Sequence, residues 1–413
     1  MTRKMKDSGI EWIGEIPEEW EIVQLKRFAT VNNGREIENE VDASEYATPV
    51  FGSGGVFKYT DSYMYDGEAV MFGRKGTLGK PIYVNKRFWT VDTMYYLTYN
   101  QSLVAKYNYY QLLVFNWESH ITQTALPSIV ASEIVSCRFP IPPLDEQMYI
   151  SSYLDTQCAK IDAVLEQTRQ SIEEYKRLKQ AVITRAVTKG IRPGRKMKDS
   201  GIEWIGEVPE EWAIQRIKNV SKINGRIGFR GYTTEDLVDK GEGAITLSPS
   251  NILGYKVIYD KCSYISWEKY EESPEIQVKN GDILFVKTGS SYGKSGIVEG
   301  LPLEASINPQ LVVFKNISID NHYFLFFLQT PSIKKEIEEI VSGGTIPTMG
   351  QEKMKNFHLC IPDSAEQKEI AEHLLKRCTE IDQIVSLKQK FIRNMEELKK
   401  SLIYECVTGK REV

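Results

Sequence analysis

Along residues 144–188 the apolar positions step by three and four: Ile150, Leu154, Cys158, Ile161, Leu165, Thr168, Ile172, Tyr175, Leu178 and Val182. A seam repeating close to every 3.5 residues predicts a long helix of the coiled-coil kind. Pro142 and Pro143 lead into it, and Asp145 and Glu146 sit where acids complement a helix N-terminus. Lys189-Gly190 and then Pro193-Gly194 stop it. The pattern returns from Ala365 to Thr408 through Ile370, Leu374, Cys378, Ile381, Val385, Ile392, Met395, Leu398 and Leu402. Each helix would run ~65 Å. Their outer faces are heavily charged, so each needs one narrow seam covered, and antiparallel pairing of the two is expected.

Ahead of each long helix the period shortens to that of strands. Short β-type runs broken by Gly, Asn and Asp include Ala69–Phe72, Pro81–Val84 and Met94–Thr98, then Ile283–Val286, Gly296–Val298 and Leu311–Phe314. An aromatic helix candidate comes after each set, at Tyr107–Trp117 and at Tyr323–Gln329. This predicts α+β globules alternating with long helices.

The alternation is a duplication. Residues 3–26 return at 195–218 with 19 of 24 positions identical, from RKMKDSGIEWIGEIPEEW to RKMKDSGIEWIGEVPEEW. A second echo, at an offset of 220, pairs IPPLDEQ (141–147) with IPDSAEQ (361–367) and continues through Ile150/Ile370, Leu154/Leu374, Cys158/Cys378 and Asp162/Asp382. The expected division is a globule at 1–143, a spacer helix at 144–190, a second globule at 191–363 and a second helix at 364–413. The fold class expected is α+β, two similar α/β globules separated by an antiparallel coiled coil in an internal pseudo-twofold repeat. The sequence between the echoes has diverged, which suits a target with two parts.

Composition narrows the chemistry. The chain has 413 residues, 41% hydrophobic and 26% charged, which is ordinary for a water-soluble protein of two or three domains. No apolar run reaches the length of a membrane span and no signal peptide is read at Met1–Asp7. Six cysteines without a CxxC, and four scattered histidines, give no zinc pattern and point to a reduced cytoplasm. A net charge of −4 counts mildly against nucleic acid, although local patches outweigh totals.

Several cofactor signatures fail on inspection. Gly289–Ser295, GSSYGKS, has three residues between its glycines where a phosphate-cradling loop needs four. Phe51–Gly55, FGSGG, resembles a methyltransferase glycine loop, but no Asn/Asp-Pro-Pro-aromatic motif comes after it, and Asn308-Pro309-Gln310 is the nearest failure. No nucleophile triad, metal set or nuclease carboxylate cluster is seen, so no catalytic residue is assigned.

A glycine-punctuated basic loop does recur. GEAVMFGRKGTLGKPIYV (67–84) aligns without gaps on GDILFVKTGSSYGKSGIV (281–298). Glycines allow close backbone approach and the cations can neutralise phosphates. Candidate contacts are Arg74, Lys75, Lys80, Lys86 and Arg87 in the first copy, with Lys287, Tyr292 and Lys294 in the second. Thr124 and Thr345 join them, beside the matching segments ALPSI (125–129) and TIPTM (345–349). A plain hairpin with solvated lysines is the competing explanation.

The KDSGIEWIGEIPEEW head, TPVFGSGGVFKYTD, GRKGTLGK and the I-P-x-x-x-E-Q lead into a long helix together resemble the DNA specificity (S) subunit of type I restriction–modification systems. The resemblance covers nearly the whole chain. It implies a non-catalytic chain with two target-recognition domains, each reading half of a bipartite double-stranded DNA site, and helices that measure the spacer. It also implies modification subunits that dock on this scaffold and supply S-adenosylmethionine for adenine methylation. Restriction subunits, with ATP and Mg, would supply translocation and cleavage. Two other readings stay open: a methyltransferase fused to its reader, and a coiled-coil scaffold joining two protein-binding domains. S-adenosylmethionine binding would identify the first, and the second would lack salt-sensitive binding to duplex DNA.

Overall fold

A computed structural model describes residues 3–122, 127–226, 231–340 and 350–413, with 339 and 340 described by backbone only. Two helices dominate, α1 (Leu144–Lys189) and α2 (Ser364–Val407). The chain divides into two compact units, Met1–Gln170 with Lys388–Val413, and Ser171–Leu387.

In the first unit, strands Ala29–Asn33, Met94–Tyr99, Glu68–Gly73 and Ile82–Asn85 lie in that order in an antiparallel sheet. The strand at 68–73 is apolar through its middle because both its faces are covered. Val70 and Phe72 join the core that contains the helix Ala105–Val114 and Ile150, Leu154 and Cys158 of α1. Ala69 and Met71 face a smaller core with Phe51 and Phe88. A second sheet, Gly55–Thr60, Thr48–Gly52 and Trp89–Thr90, closes that side. The end of α2 completes the larger core with Leu402, Ile403, Cys406 and Val407. Asp162 on α1 accepts from Lys399 of α2, and Glu396 from Arg169, both at 2.7 Å, so the two segments run antiparallel.

In the second unit the central sheet begins in the same order, Lys222–Gly225, Leu311–Lys315, Ile283–Val286 and Ser295–Ile297. It continues with Lys256–Val257 and Ile252–Leu253. Alternation again covers both faces: Ile283 and Phe285 join the core with Phe324, Leu374 and Cys378, while Leu284 and Val286 join Ile245, Leu247 and Ile307. The latter belong to a second sheet, Leu237–Val238, Ser263–Ser266, Gly243–Leu247 and Ala305–Ile307.

The duplicated motifs act as clamps, built alike in each unit. In the first, Arg3 grips Glu146 with two guanidinium nitrogens at 2.7 and 3.0 Å, and Trp20 Nε1 donates to the same carboxylate at 3.0 Å. In the second, Arg195 and Trp212 grip Glu366, which is fully buried. The neighbouring glutamine fixes the aromatic helix: Gln147 accepts from Val104 N–H and Gln367 from Asp320 N–H, each at 2.8 Å. Tyr107 and Tyr323 then donate to carbonyls at the strand before one long helix and at the end of the other, Pro140 and Val407, Cys360 and Val187. The I-P-x-x-x-E-Q signature is therefore a joint between head, globule and helix.

The seam departs from expectation at Leu178 and Leu398, which are 45% and 54% exposed. A straight helix of 3.6 residues per turn drifts against a 3.5-residue repeat, so one step of four replaces a step of three. The inward positions there become Lys179 and Lys399. The helix expected at Tyr107–Trp117 ends at Val114, and Trp117 begins a short 3₁₀ turn. A helix at Pro331–Ile340 was not expected, although Ile333 and Ile337 on one face are buried. Cys158, Cys360, Cys378 and Cys406 are buried, Cys137 and Cys262 half-buried, and all six are free thiols.

Candidate nucleic-acid interface

The first basic loop joins Glu68–Gly73 to Ile82–Asn85. Gly73 is required by close approach, because a Cβ there would lie 2.3 Å from the Thr77 carbonyl oxygen. Arg74 and Lys75 donate their backbone N–H groups to Thr93 O, at 2.8 and 3.3 Å, and Arg74 O accepts from Ile129 N–H at 3.0 Å. Lys75 also bridges to Ser128, while the Ser53 hydroxyl lies near Gly76. The loop is thus framed by the hairpin turn of FGSGG on one side and by Ser128-Ile129 on the other. The Arg74 guanidinium lies over the Tyr95 ring, 5.7 Å from its centroid, which limits where its fork points.

The second loop joins Ile283–Val286 to Ser295–Ile297. Lys287 N–H donates to Gln310 O at 2.8 Å, so Lys287 hangs on its neighbour strand as Arg74 does on Thr93, one position off the gapless alignment, which sets Arg74 against Thr288. Gly293 N–H and Lys294 O close the hairpin on Val286, at 2.9 and 2.8 Å. Because strand leads to strand, GSSYGKS has no helix N-terminus behind it and lacks that phosphate-binding geometry. FGSGG is likewise a turn between two strands.

Lys75, Lys80, Lys86 and Tyr292 are exposed, and Arg74, Lys287 and Lys294 are half-buried. Among the described residues none of these cations forms an ion pair with an acid. Arg87 differs, since it pairs with Asp66 at 2.9 Å and lies over Tyr63. Burial pushes the Lys287 ammonium below the usual lysine range. Thr124 and Thr345 lie outside the described residues, as do Gln123, Ala125, Leu126 and the TIPTM segment. The neighbouring Thr122 hydroxyl bonds Ser128, at 2.9 Å to its Oγ. Sequence reasoning did not single out Ser53, Thr93 or Gln310 as parts of these loops. Their signal lies in strand pairing between distant segments rather than in any local motif.

The geometry therefore presents, in each globule, a glycine-bounded hairpin whose cations have no acid partner among the described residues. A family model described as type I restriction modification DNA specificity domain matches residues 17–174 and 209–389. The type I restriction enzyme MjaVIII specificity subunit of Methanocaldococcus jannaschii is 23% identical over 96% of this chain and 94% of its own length. The EcoBI specificity subunit of Escherichia coli is 19% identical over 99% of this chain and 90% of its own. A solved chain from work on complex assembly and conformational transition of the type I R-M system has the same fold, with a TM-score of 0.71. It is 13% identical and covers 96% of this chain and 99% of its own.

Proposed function

We propose, since this chain belongs to the type I restriction–modification DNA specificity family, that each of its two globules reads one half of a bipartite, asymmetric DNA site. The observation that carries this reading is a common loop frame with different contents. Arg74 and Lys287 hang from equivalent carbonyls, of Thr93 and Gln310, yet the side chains around them differ. Phosphate contacts position such a reader and side chains at base edges specify the sequence. The cations Lys75, Lys80, Lys86 and Lys294 suit the first role, and Arg74 the second. Thr124 and Thr345 belong to the same proposed surface.

In this reading α1 and α2 pair along their length as an antiparallel coiled coil whose extent sets the unspecified spacer. Modification subunits dock on the helices, and restriction subunits join through them. Outward apolar side chains support docking: Leu178 and Leu387 in one unit, Phe391 and Leu398 in the other, all 43–67% exposed. Catalysis then belongs to the partners, with S-adenosylmethionine and adenine methylation in one and ATP with Mg in the other. The complex works in the cytoplasm, and the domains divide at 143/144, 190/191 and 363/364.

The test is exchange of residues 28–140 for the matching region of a relative, and then mapping of methylated adenines. One half-site should change while the other half and the spacer persist. A simultaneous change of both halves would break the assignment of one globule to one half.

A further inference from the structure

We infer that Gln310 reads an adenine in the half-site of the second globule, with Asn308 as its positioning residue. The inference rests on the reading of that globule as a DNA reader. Gln310 is exposed at the rim of the second basic loop, where its carbonyl anchors Lys287 N–H at 2.8 Å. Asn308 beneath it is 8% exposed and spends both ends of its side chain on Gln310. Its Oδ1 accepts from Gln310 N–H at 3.0 Å, and its Nδ2 donates to Gln310 Oε1 at 3.2 Å. A strand start needs only the first of these bonds. The second holds an exposed side chain that otherwise samples many rotamers.

The held carboxamide keeps what recognition needs. Both Nε2 hydrogens and one Oε1 lone pair remain, the donor and acceptor that match adenine N7 and N6 in the major groove. Gly289, at a φ of +101° that L side chains rarely adopt, lies beside Gln310 Nε2 and carries no side chain. Lys287, Lys294 and the exposed Tyr292 belong to the same loop, so a phosphate and a base edge fall within one loop's reach. In the first globule Val91-Asp92-Thr93 stands where Asn308-Pro309-Gln310 stands in the second, and each segment ends on the carbonyl that anchors the basic loop. Threonine cannot make the paired contact, so the two globules differ in chemistry at this place.

The experiment uses the full chain assembled with its modification subunits, after the native site has been mapped by methylation. Binding and methylation are measured on duplexes carrying every single-base change. Gln310→Ala should erase about 5- to 150-fold of discrimination at one A·T pair of the second half-site and leave the other positions intact. The near-isosteric Gln310→Glu loses the donor and should shift preference at that same position towards cytosine, whose N4 donates. Asn308→Ala should relax the same position more weakly, an effect that a purely structural residue would spread over all positions. Unaltered profiles for both Gln310 variants, or a uniform loss at every position, would overturn the assignment. Exchange of residues 220–360 for a relative's is the separate control: an unchanged second half-site there would sink the reading of the globule itself.

Discussion

Lys399 holds both carboxylate oxygens of Asp162, each 2.7 Å from its Nζ. Lys179 holds Asp382 likewise, at 2.6 and 2.7 Å. A step of 220 residues turns Asp162 into Asp382 and Lys179 into Lys399, so in each unit one repeat supplies the acid and the other the base. The pairs are partly exposed and each is worth only about 0–1 kcal/mol. Their use is in register. Lys399→Asp should set two acids against each other and lower the melting temperature by a few degrees, and Asp162→Lys in the same chain should restore it. Thermal unfolding at low and high salt checks this; equal melting of single and double variants would remove the pair from register control.

The same register bears on the spacer. Removing 171–174 from α1 together with 387–390 from α2 shortens each helix by about 6 Å while keeping the ion pairs of each unit. It also turns the chain beyond each deletion by about 40°, because four residues slightly exceed one turn. Methylation mapping should find unchanged half-sites at a shorter spacing. An active complex with its original spacing would reject the helices as a ruler.

For the loops, Lys75→Ala and Lys294→Ala should weaken all DNA sequences alike and lower the salt slope of binding by about one unit each. Arg74→Ala should instead relax one position of the first half-site, by about 1–3 kcal/mol. Titrations of single-base variants at two salt concentrations separate these outcomes. Unchanged affinity and slope in all three variants would return the loops to ordinary solvated hairpins.

Lys287 adds a pH signature. Its pKa is depressed by burial in the free protein, and a phosphate would raise it again. Its contribution to affinity is therefore complete below the depressed value and is lost as pH rises through it towards the ordinary lysine range. Lys287→Arg stays charged there, so alkaline weakening of binding should move to higher pH. Superimposable pH profiles for the two proteins would show that Lys287 meets no phosphate.

The clamps offer a stability comparison. Glu366 is fully buried, whereas the Glu146 side chain is 27% exposed. Glu366→Ala leaves Arg195 its second partner, Glu211, but orphans the buried Trp212 N–H and part of the guanidinium where Glu366 was fully buried, and should cost about 3 kcal/mol. Glu146→Ala leaves Arg3 its second partner, Glu19, and some water, and should cost about 1–3 kcal/mol. Urea unfolding monitored by tryptophan fluorescence measures both. Equal losses would contradict the role assigned to burial.

The long helices and six central strands were legible because each carries its own periodicity or a continuous apolar run. Trp89–Thr90 and Lys256–Val257 were not, since a strand of two residues has no period and owes its shape to partners far away. Leu178 was misplaced because spacing alone does not say where an accumulated phase drift is released. Pro331–Ile340 was legible and overlooked, with Pro at its start and Ile333 and Ile337 four apart. At the candidate interface the cations announced themselves by composition. Gln310 stood within a failed methyltransferase motif, and its bond to Lys287 exists only once Leu311–Lys315 lies beside Ile283–Val286.

The core of the first unit includes Leu402, Ile403, Cys406 and Val407, although that unit begins at the amino end of the chain. A ribosome releases residues in order, so this globule stays open until the final helix has left the exit tunnel, whereas every segment of the second unit has emerged by Leu387. A message cut short before codon 402 would yield a chain with the second unit able to close and the first left with a gap in its core. Proteolysis of such a chain would begin at that gap.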